Sequence, residues 1–217
     1  MSISVFLADD HAIVRDGLKY LLESQPDICV VGTAENGRDA VRQVLKTKPD
    51  VVIMDISMPE LNGIDAARQI IEQSPETRIV ILSMHSASEH VSRALRSGAG
   101  GYLLKESAGT EVIDAVRAVH KGIRYLSRKI SDNIVTKYIA GEAEVSDSNV
   151  LSSLSPRETE ILQLVAEGKT SADIANTIFL SPKTVETYRS RIMQKLNIDD
   201  IAGLVKFAIK HGLTTLE

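Results

Sequence analysis

Five side chains suited to phosphoryl chemistry each stand at the end of a short apolar run. Asp9 and Asp10 follow Ile3-Ser4-Val5-Phe6-Leu7-Ala8, and Asp55 closes Val51-Val52-Ile53-Met54. Ser83 ends Arg78-Ile79-Val80-Ile81-Leu82, and Lys105 follows Gly101-Tyr102-Leu103-Leu104. Runs of this length, rich in β-branched residues, read as buried parallel strands. Pro59 bars continuation of the Asp55 strand, because proline fixes φ and donates no hydrogen bond. Open α/β sheets bind ligands at the carboxyl edge of their strands. A lone aspartate there is ordinarily a turn former or a helix cap. Three converging carboxylates are costly unless a cation neutralises them, and hard oxygen ligands around a small cleft suit Mg2+. A carboxylate can attack phosphorus to give a mixed anhydride. Mg2+ and a lysine would offset charge on the transferring oxygens, and a hydroxyl would donate to one of them.

The elements that must position these groups follow from periodicity. Ile13, Val14, Leu18, Leu21 and Leu22 fall at helical spacing before Pro26, and Ile28 to Val31 form another strand. Ala40, Val41, Val44 and Leu45 mark a second helix after the Asn36-Gly37 turn, and Ile64, Ala67, Ile70 and Ile71 a third. Helices near Ser88–Ser97 and Thr110–Val119 complete the alternation. Strand–helix alternation of this kind predicts an α/β domain over residues 1–122, a doubly wound five-stranded parallel sheet of flavodoxin-like type. Residues 123–150 read as a connecting segment, with one helix from Leu126 to Ala140 and an acidic, exposed linker from Gly141 to Asn149. Residues 151–217 show helical periodicity and no strand pattern, so a separate small all-α domain is expected.

Composition narrows the classes. The chain's 217 residues leave room for two domains, and 43% hydrophobic with 25% charged residues fits an ordinary globular protein. No apolar run approaches the roughly 20 residues of a membrane helix, and the immediate entry into a strand argues against a signal peptide. Cys29 is the single cysteine, which points to a reducing, cytoplasmic setting. Within Ile28-Cys29-Val30-Val31 it reads as a small buried hydrophobe. A net charge of −4 argues against indiscriminate nucleic-acid binding by the whole molecule, while leaving room for a local basic face.

Ala8-Asp9-Asp10-His11, Met54 to Gly63, Leu82-Ser83 and Gly101 to Lys105 together resemble the receiver domain of two-component response regulators, over roughly residues 1 to 122. The resemblance implies that Asp55 accepts a phosphoryl group from a histidine kinase. It implies Mg2+ held by Asp10, Asp55 and the Ser57 carbonyl, with Asp9 assisting. Ser83 and Tyr102 match the switch pair, and Lys105 the phosphate-contacting lysine. Phosphorylation would draw Ser83 inward and vacate space for Tyr102, biasing a pre-existing equilibrium. Glu106 stands where many receivers have proline, and Met84, Ser57 and His85 are placed to tune phosphoryl lifetime. His11 invites a reading as a metal ligand, but beginning the first helix is the plainer role.

Ser155-Pro156-Arg157-Glu158 is a capping box with proline at the first helical position, and Gly168 ends that helix. A short helix from Thr170 through Ile178, the turn Phe179-Leu180 and a helix from Pro182 to Leu196 suit helix-turn-helix geometry. Leu154 to Glu158, Ile174-Ala175, Ser181 to Val185 and Lys195-Leu196 resemble the LuxR-type helix-turn-helix, so the whole chain looks like the NarL/FixJ family. By that resemblance Lys183, Glu186, Thr187 and Ser190 would face bases of double-stranded operator DNA, while Thr184, Arg189, Arg191 and Lys195 would hold phosphates. Ser171 and Tyr188 depart from the family's frequent Asn and His. The last helix, Asp199 to His211, would dimerise on DNA through Val205.

These readings converge on a transcription regulator without catalysis beyond its own phosphorylation and dephosphorylation. The expected partners are a cognate histidine kinase, operator DNA, RNA polymerase and, when phosphorylated, a second copy. The receiver is expected to cover the Pro182–Leu196 helix until phosphorylation frees it. Two alternatives stay open. An Asp55-dependent phosphatase or phosphomutase would typically carry a second aspartate where Ser57 stands. A regulator answering to a ligand or partner would ignore phosphorylation altogether.

Overall fold

A computed structural model describes residues 2–139 and 150–214. The acidic linker and the expected helix end at Ala140 lie outside them. The chain runs β1 (Ile3–Ala8), α1 (Ala12–Glu23), β2 (Ile28–Ala34), α2 (Gly37–Thr47), β3 (Val51–Asp55), α3 (Gly63–Gln73), β4 (Arg78–Ser83), α4 (Ser88–Arg96), β5 (Gly101–Leu104), α5 (Ala108–His120), β6 (Tyr125–Leu126) and α6 (Arg128–Ile139). The helices α7 (Pro156–Ala166), α8 (Ser171–Ile178), α9 (Pro182–Leu196) and α10 (Ile201–Lys210) follow.

The sheet is parallel, in the order β2-β1-β3-β4-β5-β6. It therefore has six strands, one more than the periodicity predicts. Tyr125-Leu126 is too short to show alternation, and what makes it a strand is pairing: the Tyr125 and Ser127 amides donate to the carbonyls of Gly100 and Tyr102. The sixth helix consequently starts at Arg128 rather than Leu126.

Alternate residues of each central strand enter opposite cores, as a sheet covered on both faces requires. Phe6, Val52, Met54, Ile79 and Ile81 join α2, α3 and α4 on one face. Val5, Leu7, Ile53, Val80 and Leu82 join α1 and α5 on the other. The loop after β3 is wedged between two helix starts. A Cβ on Gly63 would lie 1.8 Å from the Asp55 carbonyl oxygen, and one on Gly37 would lie 1.9 Å from that of Leu61. Asn36 and Asn62 cap α2 and α3 by accepting from the amides of Asp39 and Asp65.

A third core joins Ile161, Leu162, Leu164, Val165, Ile174, Val185, Ile192, Leu204 and Ala208. The Ser155–Glu158 capping box forms, and α9 spans the expected Pro182–Leu196. Phe179 turns the chain between α8 and α9 with φ 57°, in the left-handed region. Cys29 is half-buried rather than sealed in the core.

Candidate functional site

The carboxyl ends of β1, β3 and β5 bring the expected residues together. Lys105 Nζ lies 2.8 Å from Asp55 Oδ2 and 2.9 Å from Asp9 Oδ2. Asp9 and Asp55 are each 2% exposed, so two carboxylates share one ammonium out of water. Burial, then the Asp9 charge, push the Asp55 carboxyl up to about 6, although Lys105 opposes both. Burial works against the Lys105 ammonium, but Asp55 and Asp9 hold its pKa above the ordinary value.

One ligand atom from each of Asp9, Asp10, His11 and Asp55 falls within 4.8 Å of the others. Asp9 Oδ2 has the Lys105 ion pair but no well-formed hydrogen bond, which leaves an acceptor at the mouth of the cluster. The three carboxylates of this set, with one ammonium between them, fit a hard divalent cation. His11 is the N-cap of α1, and its ring bonds Asp10 at 2.7 Å. It thus begins the helix and braces the acid pair at once.

Ser83 is buried, and its hydroxyl accepts from the His85 amide at 3.0 Å. Tyr102 is also fully buried and donates to the His85 carbonyl at 2.8 Å. Tyr102 is therefore buried already in the unphosphorylated protein, while the Ser83 hydroxyl is held by the His85 amide. Burial raises the Tyr102 phenol to about 12, which keeps it protonated and a donor. Met84 is 73% exposed beside the cluster.

The second expected site lies on α9. Lys183, Glu186, Thr187, Ser190 and Arg191 are exposed on its outer side, whereas Val185 and Ile192 face the core. Lys183, Thr184, Thr187 and Arg191 line a surface groove of about 330 Å³. Arg189 donates to the Ser171 hydroxyl, tying α9 to α8. Lys195 bonds Glu158 Oε2 at 2.7 Å and the Ser153 carbonyl, so its ammonium is a strut between α9 and α7. Burial works against the Glu158 carboxylate, yet its bonds with Lys195 and Ser155 hold its pKa below normal. Val205 is half-buried on α10.

The two halves meet through α7 and the end of α10. Gln163, fully buried on α7, donates to the Met58 carbonyl at 2.9 Å and accepts from the Asn62 amide at 2.7 Å. One helical step to either side, Glu160 pairs with Arg38 at 2.6 Å and Glu167 accepts from the Glu60 amide at 3.1 Å. At the far end, Arg93 donates to the His211 carbonyl. The receiver half thus grips α7 and the end of α10 and leaves the outer face of α9 open, which corrects the expected cover over Pro182–Leu196. A glutamine inside the apolar run Ile161 to Val165 was the available clue, because a buried amide must find partners.

Comparison with known proteins accounts for both halves of the chain. Residues 5–117 match the response regulator receiver domain, and residues 152–208 match the bacterial regulatory proteins of the luxR family. The chain is a response regulator of the NarL/FixJ family. It is 40% identical to the oxygen regulatory protein NreC of Staphylococcus carnosus over 97% of this chain and 99% of that one. It is 39% identical to the response regulator UvrY of Escherichia coli, over 99% and 97%. Among solved structures, the RcsB response regulator of Salmonella typhimurium superposes with a TM-score of 0.59 at 29% identity, covering 95% of this chain and 97% of that one. A structure of an RcsB–DNA complex matches at the same TM-score. As a response regulator, the protein joins a receiver domain to a luxR-type DNA-binding domain that regulates transcription. None of its described helices is long and apolar enough to cross a membrane.

Proposed function

We propose that Asp55 is the residue a histidine kinase phosphorylates, and that its charge state decides whether the DNA-binding domain is held or released. The observation that carries this is the Lys105 ammonium shared by Asp9 and Asp55 at the sheet edge. Asp55 attacks phosphorus through a carboxylate oxygen, the donor departs with its bonding electrons, and Lys105 faces the oxygens that gain charge. Asp10, Asp55 and the Ser57 carbonyl would hold Mg2+, with Asp9 assisting; the ion supplies charge neutralisation on the transferring group. Ser83 and Tyr102 form the switch pair. Beside this mouth, Ile13 and Tyr20 stand 88% and 77% exposed on α1, an apolar surface fit for the kinase.

Release follows from connectivity. Ser57, Met58, Glu60 and Asn62 belong to one loop, and Gln163 and Glu167 hold its far end. A dianion on Asp55 pulls the near end, and a change of a few kcal/mol is enough to reverse such a two-state equilibrium. Freed of the receiver, α10 becomes available for pairing through Val205. Lys183, Glu186, Thr187 and Ser190 then read bases, and Thr184, Arg189, Arg191 and Lys195 hold phosphates, Lys195 through the N–H its strut leaves over. In domain terms, residues 1–122 form the receiver, 123–150 the connection, whose first residues complete the sheet, and 151–217 the reader of cytoplasmic operator DNA.

Intact mass after incubation with Mg2+ and acetyl phosphate tests the reading. Wild type should gain one phosphoryl group and Asp55→Asn none. An equal gain in both proteins would place the chemistry elsewhere, and no gain despite Mg2+ binding and exposure to a cognate kinase would favour phosphorylation-independent regulation.

A further inference from the structure

Between α3 and α4 of the receiver and the start of α7 lies a cleft of about 290 Å³. One wall is cationic. Arg68 on α3 and Arg93 and Arg96 on α4 all line it, and the last two sit three residues apart on one helix face. Asp65, which pairs with Arg68 at 2.7 Å, is the one carboxylate in the lining. Arg93 spends one N–H on the His211 carbonyl, and Arg96 has no partner among the described residues. The opposite wall is apolar and comes from the other domain: Leu151, Leu154 and Pro156.

Arg68 is paired with Asp65 and Arg93 is drawn by Asp65 and Glu89, so Arg96 keeps an open fork, and an anion joining all three would lower their mutual repulsion. Guanidinium forks match phosphate oxygens in pairs. The apolar wall offers a surface to more than a bare ion: Pro156 is exposed on it, with Leu151 and Leu154 nearly buried behind. The volume lies at the low end of metabolite pockets, far below what a polymer needs. From this juxtaposition of an arginine wall and an apolar wall we infer that the cleft binds a small phosphomonoester with an apolar or aromatic body, of nucleoside-monophosphate size. The phosphate sits on Arg68, Arg93 and Arg96, and the body lies on Leu151, Leu154 and Pro156.

The two walls belong to different domains, so such a ligand binds only the held arrangement. Linkage then makes it oppose release, and phosphorylation in turn weakens the ligand. The protein would weigh a kinase signal against a metabolite.

Isothermal titration of unphosphorylated full-length protein with AMP, UMP and inorganic phosphate tests this. A saturable nucleotide isotherm is expected at submillimolar concentration, with inorganic phosphate roughly tenfold weaker and Arg96→Ala weakening the nucleotide by about tenfold. Arg96 is exposed and unpaired among the described residues, so the variant should melt like wild type. The nucleotide should also slow Asp55 labelling by acetyl phosphate in wild type but not in Arg96→Ala. Labelling without nucleotide checks the receiver chemistry separately. Absence of saturable binding by both nucleotides, equal affinity for phosphate, or an unchanged isotherm in Arg96→Ala would each overturn the inference.

Discussion

Lys105 lies between Asp9 and Asp55 at 2.9 and 2.8 Å, in the charge position a divalent cation would share. A cation bound there would compete with the lysine for the same carboxylates. Removing the lysine should strengthen metal binding while impairing transfer. Lys105→Gln is expected to raise Mg2+ affinity by roughly tenfold, read by calorimetry, and to slow acetyl phosphate labelling. Weaker Mg2+ binding in that variant would mean that Lys105 organises the carboxylates instead of opposing the ion. At this scale the sequence was most informative about residues at strand ends, because a strand's direction dictates where its last side chain emerges. Asp9, Asp10, Asp55 and Lys105 converge at one edge, and Ser83 ends the neighbouring strand β4. The orientation of Tyr102 could not be read in this way: its burial depends on which carbonyl its hydroxyl finds, and that carbonyl belongs to His85, seventeen residues away. Gln163 escaped for the same reason, since its partners Met58 and Asn62 lie more than a hundred positions distant.

The loop between β3 and α3 is shaped by what lies on either side of it. Gly63 and Gly37 permit backbone approaches that a methyl group would block at 1.8 and 1.9 Å, and the obstacles are carbonyl oxygens that no rotamer change can move. Gly63→Ala should cost about 3 kcal/mol or more, seen as a lowered urea midpoint. A neutral result would show that the loop can shift without loss. Ser155→Ala removes a capping box of the reader domain and should cost roughly 1 kcal/mol, with DNA contacts on α9 unaffected. Element boundaries followed the strength of their local cues. Proline after a serine cap placed the start of α9 correctly, whereas β3 ends at Asp55, four residues ahead of Pro59. Nothing in Tyr125-Leu126 marks a strand, because two residues carry no period and its hydrogen bonds come from β5.

The junction between the domains is where small changes should have the widest effect. Gln163→Ala leaves the Asn62 amide and the Met58 carbonyl without their partners, at about 1–3 kcal/mol each way the junction is counted. The variant should open, with a larger radius in small-angle scattering and tighter operator binding before phosphorylation. Unchanged scattering would show that the ion pairs suffice. The junction should also respond to acid. His90 packs against Gly212, and its ring carbon lies 2.7 Å from where a Cβ on that glycine would stand. Burial, then His85 and Arg93, hold His90 down to about 4, against the pull of Glu89. Between that value and the ordinary one near 6.5, the unfolded chain takes up a proton that the folded chain refuses. Stability therefore rises with pH across this window and is lost as pH falls through it, by up to about 3 kcal/mol. His90→Phe should flatten that slope in urea melts. The short strand β6 has a practical bearing on anyone dissecting this protein. Cutting after residue 122, where the sequence suggests a boundary, would strip the cover from β5, all four of whose residues are buried. An open, apolar edge of that kind recruits strands from other molecules. A fragment ending at Gly122 should precipitate or pair edge to edge, whereas one carried through Ile139 should stay dispersed.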